Sequence, residues 1–247
     1  MIKKIEGIVV NTVDYKEDSK ILNILTKEEG IIGIFAKGCK KMNSNLSSTS
    51  GIMTYGIFHI KKVTKGMPNL IEVDTINYFK NIKKDLGKMT YATYLLELSS
   101  QAYKHENNID IYNLLISSLL KIEENFDYEV ICNILELKLL EYLGIKPVLD
   151  KCVNCNSHND IITISSYKGG YLCKNCIKEE QILNIKTLKL IRMFYYVDIN
   201  KISKISISKN IKKEINFFIS DYYDRYSGLY LKSKEFLDKF SKITKDT

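Results

Sequence analysis

The stretch GIVVNTVDYKEDSKILNILTKEEGIIGIFAKGCKKMNS (7–44) alternates apolar, β-branched segments with short polar ones. Apolar runs of this length, bounded by Asp, Ser, Gly or Asn, are typical of strands joined by turns. The same pattern continues on both sides and gives five segments, at 5–13, 21–26, 31–37, 52–62 and 69–79. The leading part of the chain is therefore predicted to be a β-module with one long polar connection, 38–51.

Five short strands with one long loop predict a barrel of the oligonucleotide/oligosaccharide-binding (OB) type over residues 1–81. A small sandwich or an SH3-like barrel fits the same pattern. The strand pattern alone leaves these three folds open.

The hydrophobic period becomes helical after residue 82. Apolar residues recur at helical spacing around 91–102, 111–122 and 131–143, and again at 187–198, 210–224 and 234–243. Gly144 and Pro147 predict the end of the third helix, because glycine suits a left-handed cap and proline cannot continue a helix. We expect a helical domain over residues 82–150 and 179–247.

Four cysteines interrupt this helical domain in the segment CVNCNSHNDIITISSYKGGYLCKNC (152–176). Their spacing is Cys-x2-Cys-x17-Cys-x2-Cys, which brings four thiolates to one centre when a hairpin joins the two pairs. The predicted ligands of one structural Zn²⁺ per chain are Cys152, Cys155, Cys173 and Cys176. With four thiolates the ion has no open position for a water, so we expect a scaffold role in a module over residues 151–178.

Other interpretations of the cysteines are a thioredoxin-like redox pair, an iron–sulfur cluster, disulfides, and His158 in place of one thiolate. A redox pair needs only one Cys-x-x-Cys beside a strand and a helix, and disulfides are rare in a reducing cytosol. Structural zinc is the prediction. The complete fold class is thus a multidomain α and β protein, with a five-stranded OB-type barrel followed by a helical domain that carries an inserted zinc module.

Two groups of lysines mark a candidate polyanion site on the β-module. The turn lysines follow the third predicted strand, and the loop lysines follow the fourth. The turn lysines are Lys37, Lys40 and Lys41, and the loop lysines are Lys61, Lys62 and Lys65. Such groups can neutralise phosphates, while nearby aromatic rings stack on bases. Tyr15, Phe35, Tyr55 and Phe58 are the candidate stacking residues. For any single residue the favoured role is a solvated rim for a lysine and core for an aromatic, whereas the lysine groups taken together favour nucleic-acid contact.

The net charge of +8 is unevenly distributed along the chain. Residues 1–80 carry +4, residues 81–150 carry −4, residues 151–180 carry +1 and residues 181–247 carry +7. A second basic patch comprises Lys201, Lys204, Lys209, Lys212 and Lys213. Two basic ends therefore flank an acidic middle. The second patch either extends the electrostatic footprint of the first lysine groups or serves only to keep a helix soluble.

Several functional classes are excluded by pattern. The sequence has no phosphate-binding loop, no G-x-S-x-G elbow and no H-E-x-x-H motif, and only three histidines. The carboxylates in 90–143 are spaced as on solvated helix faces. No apolar run is long enough to span a membrane or to form a signal-peptide core. We predict a cytoplasmic protein that is not an enzyme.

The chain resembles the RecO family of bacterial DNA-repair and recombination mediators. The resemblance runs through 7–44, with its Asp-Tyr-x-Glu-x-Asp element (14–18) and Ala-Lys-Gly-x-Lys-Lys run (36–41). It continues through YATYLLELSSQAY (91–103), LEYLGIKPVLDKCVNC (140–155), GGYLCKNC (169–176) and LKSKEFLD (231–238). The order and spacing of these segments carry the resemblance.

The resemblance implies an OB barrel, a helical domain and, in many members, a zinc module. It implies binding of single- and double-stranded DNA, annealing of complementary strands, and action with RecR, and sometimes RecF, to load RecA onto strands coated by single-strand-binding protein. That coat protein is expected to dock its acidic C-terminal tail on the helical domain. The RecO-like chain itself is expected to associate with the nucleoid. The turn lysines match the family's basic run, in which arginine is usual near 40 and 41. Lysine keeps the positive charge but lacks the paired N–H groups with which arginine binds a phosphate in a bidentate manner.

Two rival functions remain at the level of sequence. One is a zinc-ribbon adaptor that acts through protein contacts. The other is a nucleic-acid enzyme whose site carries no familiar motif.

Overall fold

The computed structural model describes the backbone of residues 2–243 and the side chains of residues 2–240. Five strands form the leading module. They are β1 (Ile2–Tyr15), β2 (Ser19–Thr26), β3 (Gly30–Ala36), β4 (Tyr55–Lys61) and β5 (Asn69–Asn77). They lie in the order β1-β2-β3-β5-β4, and the sheet closes on itself as a barrel. The prediction of five strands is confirmed, with β1 longer than expected at both ends.

Barrel closure depends on the length of β1 and on one parallel contact. The first half of β1 pairs with β4 and the second half with β2, with a register shift between Val9 and Asn11. On the opposite side, Phe35 of β3 pairs in parallel with Asn69 of β5, and the Phe35 N–H donates to the Pro68 carbonyl at 2.8 Å. Gly56 lets β4 and β5 approach closely, because a β-carbon there would lie 2.5 Å from the Asp74 carbonyl oxygen.

The helices follow the predicted periodicity. They are α1 (Lys80–Lys84), α2 (Leu86–His105), α3 (Ile109–Glu123), α4 (Tyr128–Tyr142), α5 (Ile185–Tyr196), α6 (Lys209–Tyr226) and α7 (Lys232–Ile243). The side chains of Asp85, Asn108, Asp127 and Asn184 accept first-turn N–H groups, which explains where α2 to α5 begin. Gly144 has a φ of 70° just after α4, as the predicted glycine cap requires.

Between α4 and α5 the chain forms a two-stranded hairpin, β6 (Ile161–Ser165) and β7 (Gly170–Cys173). The hairpin is attached to the helices: the Tyr171 hydroxyl donates to the Leu188 carbonyl at 2.5 Å, and the Thr163 hydroxyl donates to the Gln181 carbonyl at 2.6 Å. Ile164 and Tyr171 join the large apolar core of the helices. The cysteine segment therefore lies between α4 and α5 and packs against the helical core.

The barrel and the helices share an apolar boundary. A core of Ile5, Val9, Leu22, Ile24, Ile34 and Phe58 fills the barrel interior. Ile8, Leu25 and Tyr55 point the other way and belong to the core that includes α2, α3 and α4. The hydroxyls of Tyr55 and Tyr112 both donate to Glu6 Oε1, each at 3.1 Å, across this boundary. The helices therefore cover one outer face of the barrel. The end that carries the β1–β2 turn and the 62–68 loop contributes nothing to this shared core, and it is called the open end below because Lys16, Glu17 and residues 62–67 are exposed there.

Candidate nucleic-acid interface and metal centre

The open end of the barrel carries both predicted lysine groups. Asn69 of β5 pairs with Lys61 of β4 on one side and with Phe35 of β3 on the other. The turn lysines begin two residues after Phe35, and the loop lysines begin at Lys61. Two groups that are at least twenty residues apart in sequence are therefore adjacent in the fold.

The six lysines differ in their partners. Lys40 Nζ lies 2.7 Å from Asp14 Oδ2, and Lys41 Nζ lies 3.2 Å from Asp18 Oδ2. Among the described residues, Lys37 and the loop lysines form no ion pair and are exposed. Four of the six charges are thus free to meet a polyanion directly.

The paired carboxylates belong to the tip of the β1–β2 hairpin. The hydrogen bond from Lys40 lowers the pKa of Asp14. The hydrogen bond from the Ser19 hydroxyl, followed by that from Lys41, lowers the pKa of Asp18. Both carboxylates are therefore ionised at neutral pH. Nothing in the sequence pattern links residues 14–18 to residues 40–41, so these ion pairs could not be predicted from it.

Two of the four candidate stacking residues lie on the surface at this end. Tyr15 is 43% exposed, and its ring meets the half-buried Phe35 edge to face with centroids 5.3 Å apart. Phe58 is fully buried inside the barrel, and Tyr55 is buried against the helices. The suggestion that Tyr55 and Phe58 stack on bases is therefore wrong, since neither ring can reach a ligand.

The second basic patch, on the helical domain, is partly neutralised. Lys212 Nζ lies 2.5 Å from Asp127 Oδ2 and 3.0 Å from Glu129 Oε2, so this lysine attaches α6 to the start of α4. Lys201 pairs with Asp198 at 3.4 Å, and Lys204 lies over the Phe126 ring at 5.4 Å. This patch offers fewer free charges than its sequence suggests.

The four cysteines converge on one centre. The sulfurs of Cys152, Cys155, Cys173 and Cys176 all lie within 4.8 Å of one another, and those of Cys155 and Cys173 are 3.6 Å apart. A tetrahedral cage with metal–sulfur bonds of about 2.3 Å requires sulfurs about 3.8 Å apart. A disulfide requires about 2.05 Å. The cluster has the dimensions of a metal cage, and His158 is outside it, with Nδ1 at 2.9 Å from the Asp150 carbonyl.

The protonation chemistry of the cluster agrees with a cation at its centre. Burial acts to raise the pKa of Cys152, but backbone N–H groups of Cys173, Cys155 and Asn154 outweigh it and lower the pKa to about 6. Contact with Cys155 raises the pKa of Cys176 to about 12. Contact with neighbouring thiols therefore opposes ionisation of Cys176, and a cation bound among the four sulfurs would favour it.

One acidic side chain departs from the expectation of solvated helix faces. Glu136 of α4 is only 8% exposed, and the Tyr94 hydroxyl donates to it at 2.7 Å. Burial raises the pKa of Glu136. It borders a cavity of about 330 Å³ between α2, α4, α6 and α7. The carboxylate lies inside the helical packing, contrary to the sequence expectation.

Comparison with protein-family models shows which family this chain is similar to. The family model described as the N-terminal part of recombination protein O matches residues 1–79, and the model of its C-terminal part matches residues 83–235. The chain belongs to the RecO family.

Relatives in the RecO family align with nearly the whole chain. The DNA repair protein RecO of Bacillus pumilus is 36% identical over 249 residues, which cover 99% of this chain and 97% of the relative. The proteins of the same name from Bacillus subtilis and Halalkalibacterium halodurans are 36% and 34% identical over 247 residues, covering 98% of this chain and 96% and 97% of theirs. RecO membership supports a role in DNA repair.

Within the described part of the chain, no helix combines the length and apolarity that a membrane span requires.

Proposed function

We propose that this protein is a recombination mediator that binds single- and double-stranded DNA at the open end of an OB-type barrel. The observation that carries the proposal is the convergence of the turn lysines and the loop lysines through the pairing of Asn69 with both Phe35 and Lys61. Neutralising phosphates with clustered lysines releases counterions, which supplies affinity without regard to base sequence. The strand order β1-β2-β3-β5-β4, with the turn at 16–18 and the loop at 62–68 beside the β2–β3 face, supports the OB-type assignment.

Base recognition in this proposal uses the exposed aromatic edge of the same end. Tyr15 lies at the hairpin tip, and its ring meets that of Phe35, two residues before the turn lysines begin. An unstacked base can therefore reach these rings while its phosphate meets a lysine. Paired bases are not free to stack on protein rings. Single strands therefore use both the lysines and the rings, whereas duplex DNA uses the lysines.

The proposed action is not enzymatic. By neutralising two phosphate backbones at once, the protein lowers the repulsion between complementary strands and promotes annealing. On the family resemblance, RecR is the partner with which it helps to load RecA onto strands coated by single-strand-binding protein. The acidic C-terminal tail of that coat protein docks on the helical domain, and RecF is a further partner. Such work takes place in the cytoplasm, on nucleoid DNA.

The cysteine cluster is proposed to hold one Zn²⁺ as a structural ion. Cys152, Cys155, Cys173 and Cys176 would bind it, and the ion would cross-link the two ends of the segment 151–178. The proposed division of the chain is a DNA-binding barrel over 1–81, a helical domain over 82–150 and 179–247, and this module between them. The two family models, which meet between residues 79 and 83, support the first boundary.

A strand-annealing assay tests the proposed function. Complementary oligonucleotides labelled with a donor and an acceptor fluorophore are mixed with the protein, with and without single-strand-binding protein. The proposal predicts faster annealing in both cases, and no strand cleavage when Mg²⁺ is added. Binding without any acceleration would reject the mediator, and turnover with Mg²⁺ would reject the noncatalytic assignment. Indifference to DNA would leave the protein-binding adaptor.

A further inference from the structure

Two of the six lysines at the open end of the barrel already hold anions from the chain itself. Asp14 and Asp18 place carboxylate oxygens 2.7 Å from Lys40 Nζ and 3.2 Å from Lys41 Nζ. These are the distances at which a lysine would hold a phosphate oxygen. The carboxylates therefore lie where phosphate oxygens would lie if DNA bound to these two lysines.

Further hydrogen bonds fix the hairpin tip against the turn that carries these lysines. The Lys40 N–H donates to the Asp18 carbonyl at 2.9 Å, and the Gly38 N–H donates to Ser19 Oγ at 3.0 Å. The Ser19 hydroxyl in turn donates to Asp18 Oδ1 at 2.8 Å. Because backbone and side-chain bonds cooperate, the contact between residues 14–19 and 38–41 is a defined structural feature.

We propose that Asp14 and Asp18 are specificity-determining residues that compete with phosphates for Lys40 and Lys41. The inference rests on the proposed DNA-binding function and concerns how its site is regulated. An anion must displace two carboxylates to reach these two lysines, while Lys37 and the loop lysines are open to it at once. A long polyanion can bind first to the open lysines and then displace the carboxylates. A short anion makes too few other contacts to offset the loss of the ion pairs that Lys40 and Lys41 form with these carboxylates.

The test removes the competing charges while keeping the shape of the side chains. The variant Asp14→Asn/Asp18→Asn retains an amide oxygen that can accept the hydrogen bond from Ser19. Its matched control is Glu17→Gln/Glu28→Gln, which removes two charges from exposed carboxylates for which the structure shows no lysine partner among the described residues. Affinity for a fluorescent oligodeoxythymidylate is measured by anisotropy at about 0.15 M salt, where charges farther than about 8 Å are screened.

We expect the Asp14→Asn/Asp18→Asn variant to bind about 2- to 30-fold more tightly than the wild type, the range for losing two exposed ion pairs. The control should change affinity less than the variant does. Short oligonucleotides should gain more than long ones. Cooperative unfolding transitions show that the variants fold, with at most the small loss of stability that two exposed ion pairs account for.

A second cycle separates competition from a general effect of charge. In a Lys40→Ala/Lys41→Ala background, the same two Asp→Asn changes should leave affinity nearly unchanged, because there is no lysine left to release. An equal gain in both backgrounds, or an equal gain in the control, overturns the inference. Weaker binding by the Asp variant also overturns it, since the carboxylates would then be orienting the lysines. Wild-type protein that binds no DNA rejects the proposed function itself.

Discussion

Replacing one exposed candidate ligand, Cys155→Ser, should release the metal and destabilise the cysteine module (151–178) while the rest of the chain stays folded. The apolar cluster proper to this module contains three buried residues, Cys152, Leu172 and Cys173. Complete burial of a leucine side chain contributes about 1.5–3 kcal/mol. Structural zinc in small modules contributes about 10–16 kcal/mol near neutral pH, so the ion outweighs the apolar cluster several-fold. Loss of one of four thiolates should therefore weaken zinc binding by more than about 100-fold.

The assay combines metal content with hydrogen exchange on the full-length protein. Purified wild type should carry about one zinc per chain, and Cys155→Ser much less. Backbone amides in 151–178 should lose protection, while those of the barrel keep theirs because its core is separate from the cysteine cluster. Cys39→Ala is the control, since it removes a buried cysteine outside the cluster. Stoichiometric zinc in Cys155→Ser, or an equal loss of metal in the control, would refute the reasoning.

Three further predictions concern the barrel and the helical core. Changing all three loop lysines to alanine should weaken DNA binding at least as much as changing all three turn lysines, because two of the turn lysines are already ion-paired. Anisotropy titrations compare the affinities of the two variants. Unchanged affinity in both variants would place the site elsewhere. Tyr15→Ala should lower single-strand affinity by about 1–3 kcal/mol and duplex affinity much less, whereas Tyr78→Ala, at an exposed tyrosine outside the open end, should change neither. Burial raises the pKa of Glu136 above its ordinary 4.5, so the folded state holds this proton more tightly than the unfolded state. The free energy of unfolding should therefore fall as pH rises above about 4.5. Denaturant titrations at several pH values should show a weaker dependence on pH for Glu136→Gln than for the wild type, and an equal dependence would contradict this.

Local pattern was sufficient to predict the strands, the helices α2 to α7 and the convergence of four cysteines. Alternation of apolar and polar residues identified five strands because one face of each fills the barrel. Helical spacing identified α2 to α7 for the same physical reason. The two Cys-x-x-Cys pairs predicted a shared centre because each pair turns the backbone so that both sulfurs face one point.

The errors arose where both sides of an element are buried. Tyr55 and Phe58 lie on opposite faces of β4, one against the helices and the other inside the barrel, so both rings are covered. Glu136 belongs to a helix with neighbours on most sides, and its carboxylate is enclosed by Tyr94 and Cys132. A pattern that assumes one wet face cannot identify such positions.

The contacts that assemble the proposed DNA site were also beyond local pattern. The pairing of Phe35 with Asn69 joins residues far apart in sequence and depends on barrel closure. The ion pairs of Lys40 and Lys41 with the hairpin tip depend on the pairing of β2 with both β1 and β3, which brings residues 14–19 beside residues 36–41. Periodicity reports which residues are buried, but it does not report which strands are neighbours.

The salt dependence of single-strand affinity tests the central claim most directly. If the open end of the barrel neutralises phosphates, the logarithm of the association constant should fall linearly with the logarithm of salt concentration, by about 0.7 per phosphate contacted. Removing the three loop lysines should reduce the steepness by about 2. A slope near zero for the wild type, or an unchanged slope in the variant, would contradict the claim.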